Sequence, residues 1–289
     1  MAALAVTASP APARSRPGHR HRGAAAPVVI PVYSGELYGP LFQYRGYVRG
    51  LLTALEGQTA TLTADIDAGN LAAAESAWLA AHLTWLRIGQ DDGAYGAFGQ
   101  LGRQIDGTAA GLVRGTADPC FTGFHRVELD LWTDGNLPAA ATDAARLQSL
   151  VTTLAARNLA KELPTSVTGL ANWTLRAHEI LEDALRDSLT ADDDYGSHTD
   201  LASITADVAG TREMLSLLAP LLNPRAPSLV GRARRQLVAL DAAVGAAPQG
   251  VAIAALPLGA RERIDAATGA VLETLAPVPL LLKPLNDTT

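Results

Sequence analysis

The residues best suited to chemistry in this sequence form one short run, Phe121-Thr-Gly-Phe-His-Arg-Val-Glu128. His125 and Glu128 are three residues apart, so on a helix the imidazole and the carboxylate lie on one face, one turn apart. This spacing is used in metal-binding helical bundles to present two ligands from one helix. Imidazole and carboxylate together suit iron, zinc or manganese. A surface ion pair or a capping role is the common alternative for such a pair.

A glycine-rich segment, residues 89–107, carries three further candidate ligands, Asp91, Asp92 and Asp106. Long irregular segments of compact domains are often functional, and oxygen-rich loops bind hard cations. Adjacent aspartates are also common as solvated loop residues. The sequence therefore offers these carboxylates as metal ligands without deciding between the two roles.

Other polar and aromatic residues could contact and orient such ligands without binding the metal themselves. His82 lies between two tryptophans of one predicted helix, where a half-buried structural histidine is the alternative to a role at the site. His198 lies at a predicted helix start, where Ser197 or Thr199 could be the cap. The residues assigned this supporting role are His82, Trp85, Arg126 and His198.

Composition and helical spacing point to an all-α fold. Hydrophobic residues make up 48% of the 289 residues and charged residues 18%, and alanine and leucine, which dominate, favour helices. Apolar residues recur at helical spacing in eight segments, and no convincing strand alternation is present. The predicted helices cover residues 43–66, 71–88, 122–132, 143–161, 172–189, 199–222, 228–244 and 257–275. A turn at residues 134–136 and Pro138 are expected to end the third helix, and Asp192-Asp193-Asp194 is expected to be a solvated loop.

Eight helices of this length form two four-helix bundles most naturally. We expect the first bundle, which carries the His-x-x-Glu pair, over residues 28–163 and the second over 164–289. Within residues 1–27, residues 1–13 form a short apolar stretch with an A-x-A-like end, as the back half of a truncated signal peptide does, and residues 14–26 are predicted to be a disordered tether. A disordered tail is the alternative. The stretch after residue 28 is predicted to be extended, with a short helical turn.

Several functional classes are disfavoured by composition. A net charge of −6 without a sustained basic stripe argues against nucleic-acid binding. The single Cys120 excludes an intramolecular disulfide framework. No apolar run approaches the roughly 20 residues of a membrane helix, so no transmembrane segment is expected. Nucleophile elbows, phosphate-binding loops and His-Glu-x-x-His helices are missing from the sequence.

Gly123-Phe-His-Arg-Val-Glu128 resembles the GxHxxE signature of the imelysin-like family, to which the EfeO and EfeM iron-uptake proteins belong. Further segments follow in the order of that family over about residues 28–285. They are Pro31-Val-Tyr-Ser-Gly-Glu-Leu37, Tyr44-Arg-Gly-Tyr-Val-Arg49, Ala77-Trp-Leu79, Tyr95-Gly-Ala-Phe-Gly99, Ile105-Asp106 and Asp194-Tyr-Gly-Ser-His-Thr-Asp-Leu201. The chain looks like the shorter EfeM form, without the copper-binding-type (cupredoxin-like) β domain of EfeO.

The resemblance implies two four-helix bundles with a metal-binding cleft. It also implies an exported, periplasmic or extracellular iron-binding protein that works beside a membrane iron permease and a haem peroxidase. His125 and Glu128 would be ligands and Asp106 a third. Where family members usually have a glutamate on the second helix, this chain has Leu86. At two later positions where the family has acidic residues, this chain has Gln100 and Gly102. Asp91 or Asp92 could replace the missing carboxylate.

Three hypotheses follow from these observations. The leading one is a non-enzymatic iron-binding protein, for ferrous or ferric iron, with zinc or another divalent metal as an alternative cargo. The second is a metal-free helical scaffold or binding protein of the cell envelope that kept the fold, suggested by the reduced set of acids. The third, a metallopeptidase, requires an activated water and a general base, and Glu128 could serve only one of those roles.

Overall fold

The computed structural model describes residues 30–89, 98–160 and 167–285, and the fold over these residues is all-α. The helices that carry the architecture are α1 (Ser34–Asp67), α2 (Leu71–Leu86), α3 (Gln100–Asp106), α4 (Phe124–Glu128), α5 (Leu137–Ala160), α6 (Val167–Arg186), α7 (Asp200–Arg225), α8 (Leu229–Gly245), α9 (Leu258–Leu275) and α10 (Val278–Leu281). Two short strands, β1 (Val32–Tyr33) and β2 (Pro284–Leu285), pair in parallel and join the two ends of the described chain.

Helix α1 begins nine residues before the predicted start at Gln43, so the expected extended lead-in is wrong from Ser34 onwards. The carboxylate of Glu36 accepts a hydrogen bond from the backbone N–H of Tyr33 at 2.8 Å, which satisfies one free donor at the helix start. Pro40 lies inside the helix and removes one backbone hydrogen bond. Burial of Leu37 and Leu41 on the same face compensates for this loss.

The segment predicted to be irregular, residues 89–107, contains helix α3 at its end. The helix predicted over 122–132 is α-helical only to Glu128 and continues as one π-helical turn, Leu129–Thr133. The N–H of Asp134 reaches the carbonyl of Leu129 there at 2.9 Å. Pro138 does not close that helix but lies in the first turn of α5, where its missing N–H costs nothing.

One continuous apolar core joins the helices. Helix α1 packs against α2 and α5, helices α6 to α9 pack on one another in sequence, and α7 also contacts α1 and α2. The predicted boundary between two bundles, near residue 163, falls outside the described residues, as do the first 29 residues. The division into two bundles and the signal-like segment therefore stay predictions.

One helical stretch, Leu258–Leu281, is long and apolar enough by length and composition to cross a membrane, although the sequence led us to expect no such segment. Its apolar side chains Ile264, Val271, Leu275 and Val278 are buried in the protein, and the stretch packs against α6 and α8. One face of the stretch therefore belongs to the core of the fold.

Candidate metal site

Three buried side chains from three separate helices converge in the first half of the chain. They are His82 of α2, Asp106 at the end of α3 and His125 of α4, and one donor atom from each lies within 4.8 Å of the other two. Nε2 of His82 lies 3.1 Å from Oδ1 of Asp106, and Nε2 of His125 lies 3.5 Å from the same oxygen. Their side chains are only 3 to 6% exposed. The arrangement presents two imidazoles and one carboxylate to a common point.

Two of these three donor atoms have no hydrogen bond within the described part of the chain. Nε2 of His82 and Oδ1 of Asp106 approach each other without hydrogen-bond geometry. Buried polar atoms without a partner are rare and costly. A cation between them would satisfy both, so the residues present fit a bound metal ion.

Gly123 brings the helix with His125 close to the helix with Asp106. It has φ +84°, and a Cβ atom there would lie 2.0 Å from the carbonyl oxygen of Ile105. Next to it, the hydroxyl of Thr122 donates a hydrogen bond to the carbonyl of Gln104 at 2.7 Å. Only glycine combines this conformation with this close approach. The backbone conformation and the close helix contact therefore explain why the first position of the G-x-H-x-x-E run is glycine.

Aromatic rings hold His82 in place. Its imidazole lies 4.7 Å from the ring of Trp78 and 5.1 Å from that of Phe124, between ring centroids. The indole N–H of Trp78 donates a hydrogen bond to the carbonyl of Phe124 at 2.9 Å, which ties α2 to α4. His82 and His125 are 5.2 Å apart in a nearly perpendicular arrangement. The imidazole thus has little freedom to turn away from the other two donors.

Glu128 faces the opposite nitrogen of His125. Its Oε2 lies 3.1 Å from Nδ1 of His125. Its Oε1 accepts hydrogen bonds from the backbone N–H of Tyr195 at 3.0 Å, from that of Ser197 at 3.1 Å, and from the Ser197 hydroxyl at 2.6 Å. The carboxylate is 1% exposed. A carboxylate at Nδ1 fixes the tautomer and the orientation of a histidine whose Nε2 binds a metal.

The charges around His125 hold a proton on it when no cation is bound. Burial alone would lower the pKa of its imidazole, but the hydrogen bond to Glu128 and the charges of Asp106, Glu128 and Asp193 raise the pKa to about 9. A metal ion that takes Nε2 would displace this proton. The same negative surroundings that stabilise the proton would stabilise the ion in its place.

Solvent reaches Asp106 through an open cleft. The cleft has a volume of about 710 Å³, and Asp106, Thr108, Asp183 and Asp187 are among its lining residues. The same four residues also line a smaller cavity of about 50 Å³ that reaches His125. An ion could therefore pass from the cleft to the three donors along an acidic wall.

The other residues singled out from the sequence lie in varied places. Arg126 forms ion pairs with Asp130 at 2.5 Å and Asp143 at 3.3 Å. His198 is exposed and pairs with Asp194 at 2.7 Å. The rings of Trp85 and Phe98 are 5.6 Å apart in the core. None of these three is among the convergent donors. Asp91 and Asp92 lie outside the described residues.

Comparison with known proteins gives one family and a set of relatives. The model of the Imelysin family (Peptidase_M75) matches residues 41–278. The iron uptake system component EfeO of Escherichia coli (strain K12) is 29% identical over 198 residues, which are 68% of this chain and 50% of that protein. The EfeO of Shigella flexneri gives the same values. The chain thus spans about half the length of the curated relatives it matches.

Proposed function

Since the chain belongs to the imelysin family, we propose that it binds iron as a component of an uptake system. The observation that carries the proposal is the convergence of His82, Asp106 and His125, three buried donors of which two have atoms without hydrogen bonds. Its relatives are named as iron uptake system components, which supports the same cargo.

The donor set favours ferrous iron. Two imidazoles and one carboxylate with open positions are the ligands of non-haem Fe(II) sites, and zinc accepts the same set. Compared with the sequence expectation, this proposal moves His82 into direct contact with the ion. Glu128 instead orients His125, because its Oε2 faces Nδ1 of the imidazole while its Oε1 accepts three hydrogen bonds from residues 195–197.

The role we propose is binding and not hydrolysis. A peptidase needs a general base that can take a proton from a metal-bound water. Glu128, the carboxylate of the G-x-H-x-x-E run, has its oxygens turned to His125 and to the backbone at 195–197. We further propose that the protein is exported and hands iron to a membrane permease with a haem peroxidase as a companion.

The test is a metal titration of three proteins, the wild type, His125→Ala and the control His178→Ala. His178 is paired with Glu182 at 3.2 Å on α6, outside the three-donor group. Apo protein is titrated anaerobically with Fe²⁺, and with Fe³⁺, Zn²⁺, Mn²⁺ and Cu²⁺, while binding heat and thermal stability are recorded. An ion at about 100 times its Kd adds about 2.7 kcal/mol of stability.

We expect one ion to bind per chain to the wild type and to His178→Ala, and to lose at least about tenfold in affinity in His125→Ala. Equal affinity in His125→Ala would refute the site. Absence of binding by every ion in the wild type would refute the function and favour the metal-free scaffold.

A further inference from the structure

Asp193, in the connection between α6 and α7, faces the same small cavity as Asp106 and His125. The hydroxyl of Ser188 donates a hydrogen bond to its Oδ2 at 2.9 Å, which fixes the orientation of the carboxylate. Its Oδ1 is inaccessible to solvent and has no hydrogen-bond partner within the part of the chain that the structure describes. One oxygen is therefore anchored, and the other is buried without a partner.

Both imidazoles of the metal site act on this carboxylate. Burial raises the pKa of Asp193 above its usual value, and the interactions with His125, Ser188 and His82 oppose this rise only in part. A buried carboxylate without a full set of hydrogen bonds is costly for the folded protein. A cation held by the two histidines would compensate this cost.

Two other acids of the cavity wall form ion pairs with arginines. Asp183 pairs with Arg176 at 2.9 Å and with Arg186 at 2.9 Å. Asp187 pairs with Arg186 at 2.8 Å. These arginines neutralise both carboxylates, which sets them apart from Asp193.

We propose that Asp193 joins the coordination shell of the ion when it binds to His82, Asp106 and His125, so that the complete site has two imidazoles and two carboxylates. The proposal rests on the proposed function, since it needs an ion on those three donors. Asp193 is outside the group of atoms within 4.8 Å of one another, and metal–oxygen bonds are about 2.0–2.2 Å long. The Asp193 carboxylate must therefore move towards the three donors when the ion binds.

The proposal connects the two halves of the chain through the ion. His82, Asp106 and His125 come from α2, α3 and α4, whereas Asp193 comes from the connection that precedes α7. An ion with all four ligands would add to the hydrogen bonds from Tyr195 and Ser197 to Glu128 that already tie this connection to the first half. Binding of the ion would then restrain the connection that precedes α7 in the second half of the chain.

The experiment compares Asp193→Asn with Asp192→Asn, the same substitution one residue earlier at an exposed carboxylate. Fe²⁺ affinity is measured by anaerobic titration, and Co²⁺ is used as a second probe because its visible spectrum reports the ligand set. His125→Ala is run in parallel. We expect at least a tenfold loss of Fe²⁺ affinity in Asp193→Asn, a changed Co²⁺ spectrum at saturation, and wild-type behaviour of Asp192→Asn.

Stability of the metal-free protein separates this role from a folding defect. Because one oxygen of the charged Asp193 carboxylate is buried without a hydrogen bond, and a neutral amide is less costly to bury than a charge, metal-free Asp193→Asn should melt at the wild-type temperature or above it. Wild-type Fe²⁺ affinity in Asp193→Asn, or lower affinity with an unchanged Co²⁺ spectrum, would overturn the proposal while leaving the three-ligand site intact. Unchanged affinity in His125→Ala would instead overturn the proposed function itself.

Discussion

Replacement of Glu128 by glutamine tests how the protein prepares His125 for a metal. Glutamine has the shape of glutamate, so its Oε1 can still accept the hydrogen bonds from the N–H groups of Tyr195 and Ser197. Its NH₂ group must then face Nδ1 of His125, where the carboxylate oxygen lies 3.1 Å away in the wild type. An NH₂ group only donates, so Nδ1 must accept.

This exchange places the imidazole proton on Nε2, the atom that faces Asp106. A protonated Nε2 has no lone pair for a metal ion. A hydrogen bond with a charged partner contributes about 1.5–3 kcal/mol, and 1.4 kcal/mol corresponds to about tenfold in affinity. We therefore expect Glu128→Gln to bind Fe²⁺ about 10- to 100-fold more weakly, with a folded structure and an unchanged number of protein ligands.

The assay is an anaerobic Fe²⁺ titration together with the Co²⁺ spectrum at saturation. Glu182→Gln is the matched control, because Glu182 forms a similar pair with His178 at 3.2 Å on the surface of α6. Wild-type affinity in Glu128→Gln would refute the tautomer argument. Loss of one ligand in the Co²⁺ spectrum would show that Glu128 binds the ion directly.

Three further predictions concern protons and packing. Because the pKa of His125 is about 9 without metal, metal binding between pH 6 and 9 should release about one proton and tighten up to about tenfold per pH unit; calorimetry in buffers of different ionisation enthalpy checks this, and binding without proton release would contradict it. Burial, with the charges of Asp193, Asp194 and Glu128, raises the pKa of Asp200 to about 8. Native Asp200 therefore keeps a proton that the unfolded chain loses above about pH 4, and stability should fall as pH rises from about 4 to 8. In urea unfolding, the free energy of unfolding of Asp200→Asn should increase relative to that of the wild type by roughly a few kcal/mol between pH 5 and 8. A difference between the two proteins that does not change with pH would disprove this prediction. Gly123→Ala should cost about 2–6 kcal/mol, from the positive φ and the contact with Ile105, whereas Gly57→Ala on α1, where a Cβ meets nothing, should not destabilise the protein.

The sequence predicted the helical fold well because its apolar residues recur at helical spacing over long segments. It failed where packing outweighs a local signal. Pro40 and the nearby glycines suggested an extended lead-in, yet burial of Leu37 and Leu41 extends α1 back to Ser34. Pro138 was interpreted as the end of one helix although it begins the next. The same residue type favours both positions, so local sequence cannot separate them.

At the candidate site, the sequence singled out His125 and Asp106, which the structure brings together. It gave His82 only a supporting role, because nothing in its own helix indicates that α3 and α4 pack against it. The direction of the Glu128 carboxylate depends on the backbone of Tyr195 and Ser197, about 70 residues away in the chain. The i,i+3 spacing fixes a shared helix face but not which atom a side chain meets.

Asp193 was missed for a related reason. The run Asp192-Asp193-Asp194 was interpreted as a solvated loop, and Asp192 is indeed exposed. Only the fold turns Asp193 towards the cavity beside His125. A sequence signal was present in Ser188, whose hydroxyl anchors the carboxylate, but its meaning depends on the turn between them.

X-ray absorption spectroscopy of the iron-loaded protein tests the central claim most directly, because imidazole ligands give a characteristic outer-shell scattering pattern. The site of His82, Asp106 and His125 predicts two imidazoles on one iron ion, and one imidazole after His82→Ala. A spectrum of the wild type with a single imidazole, or with none, would contradict the account.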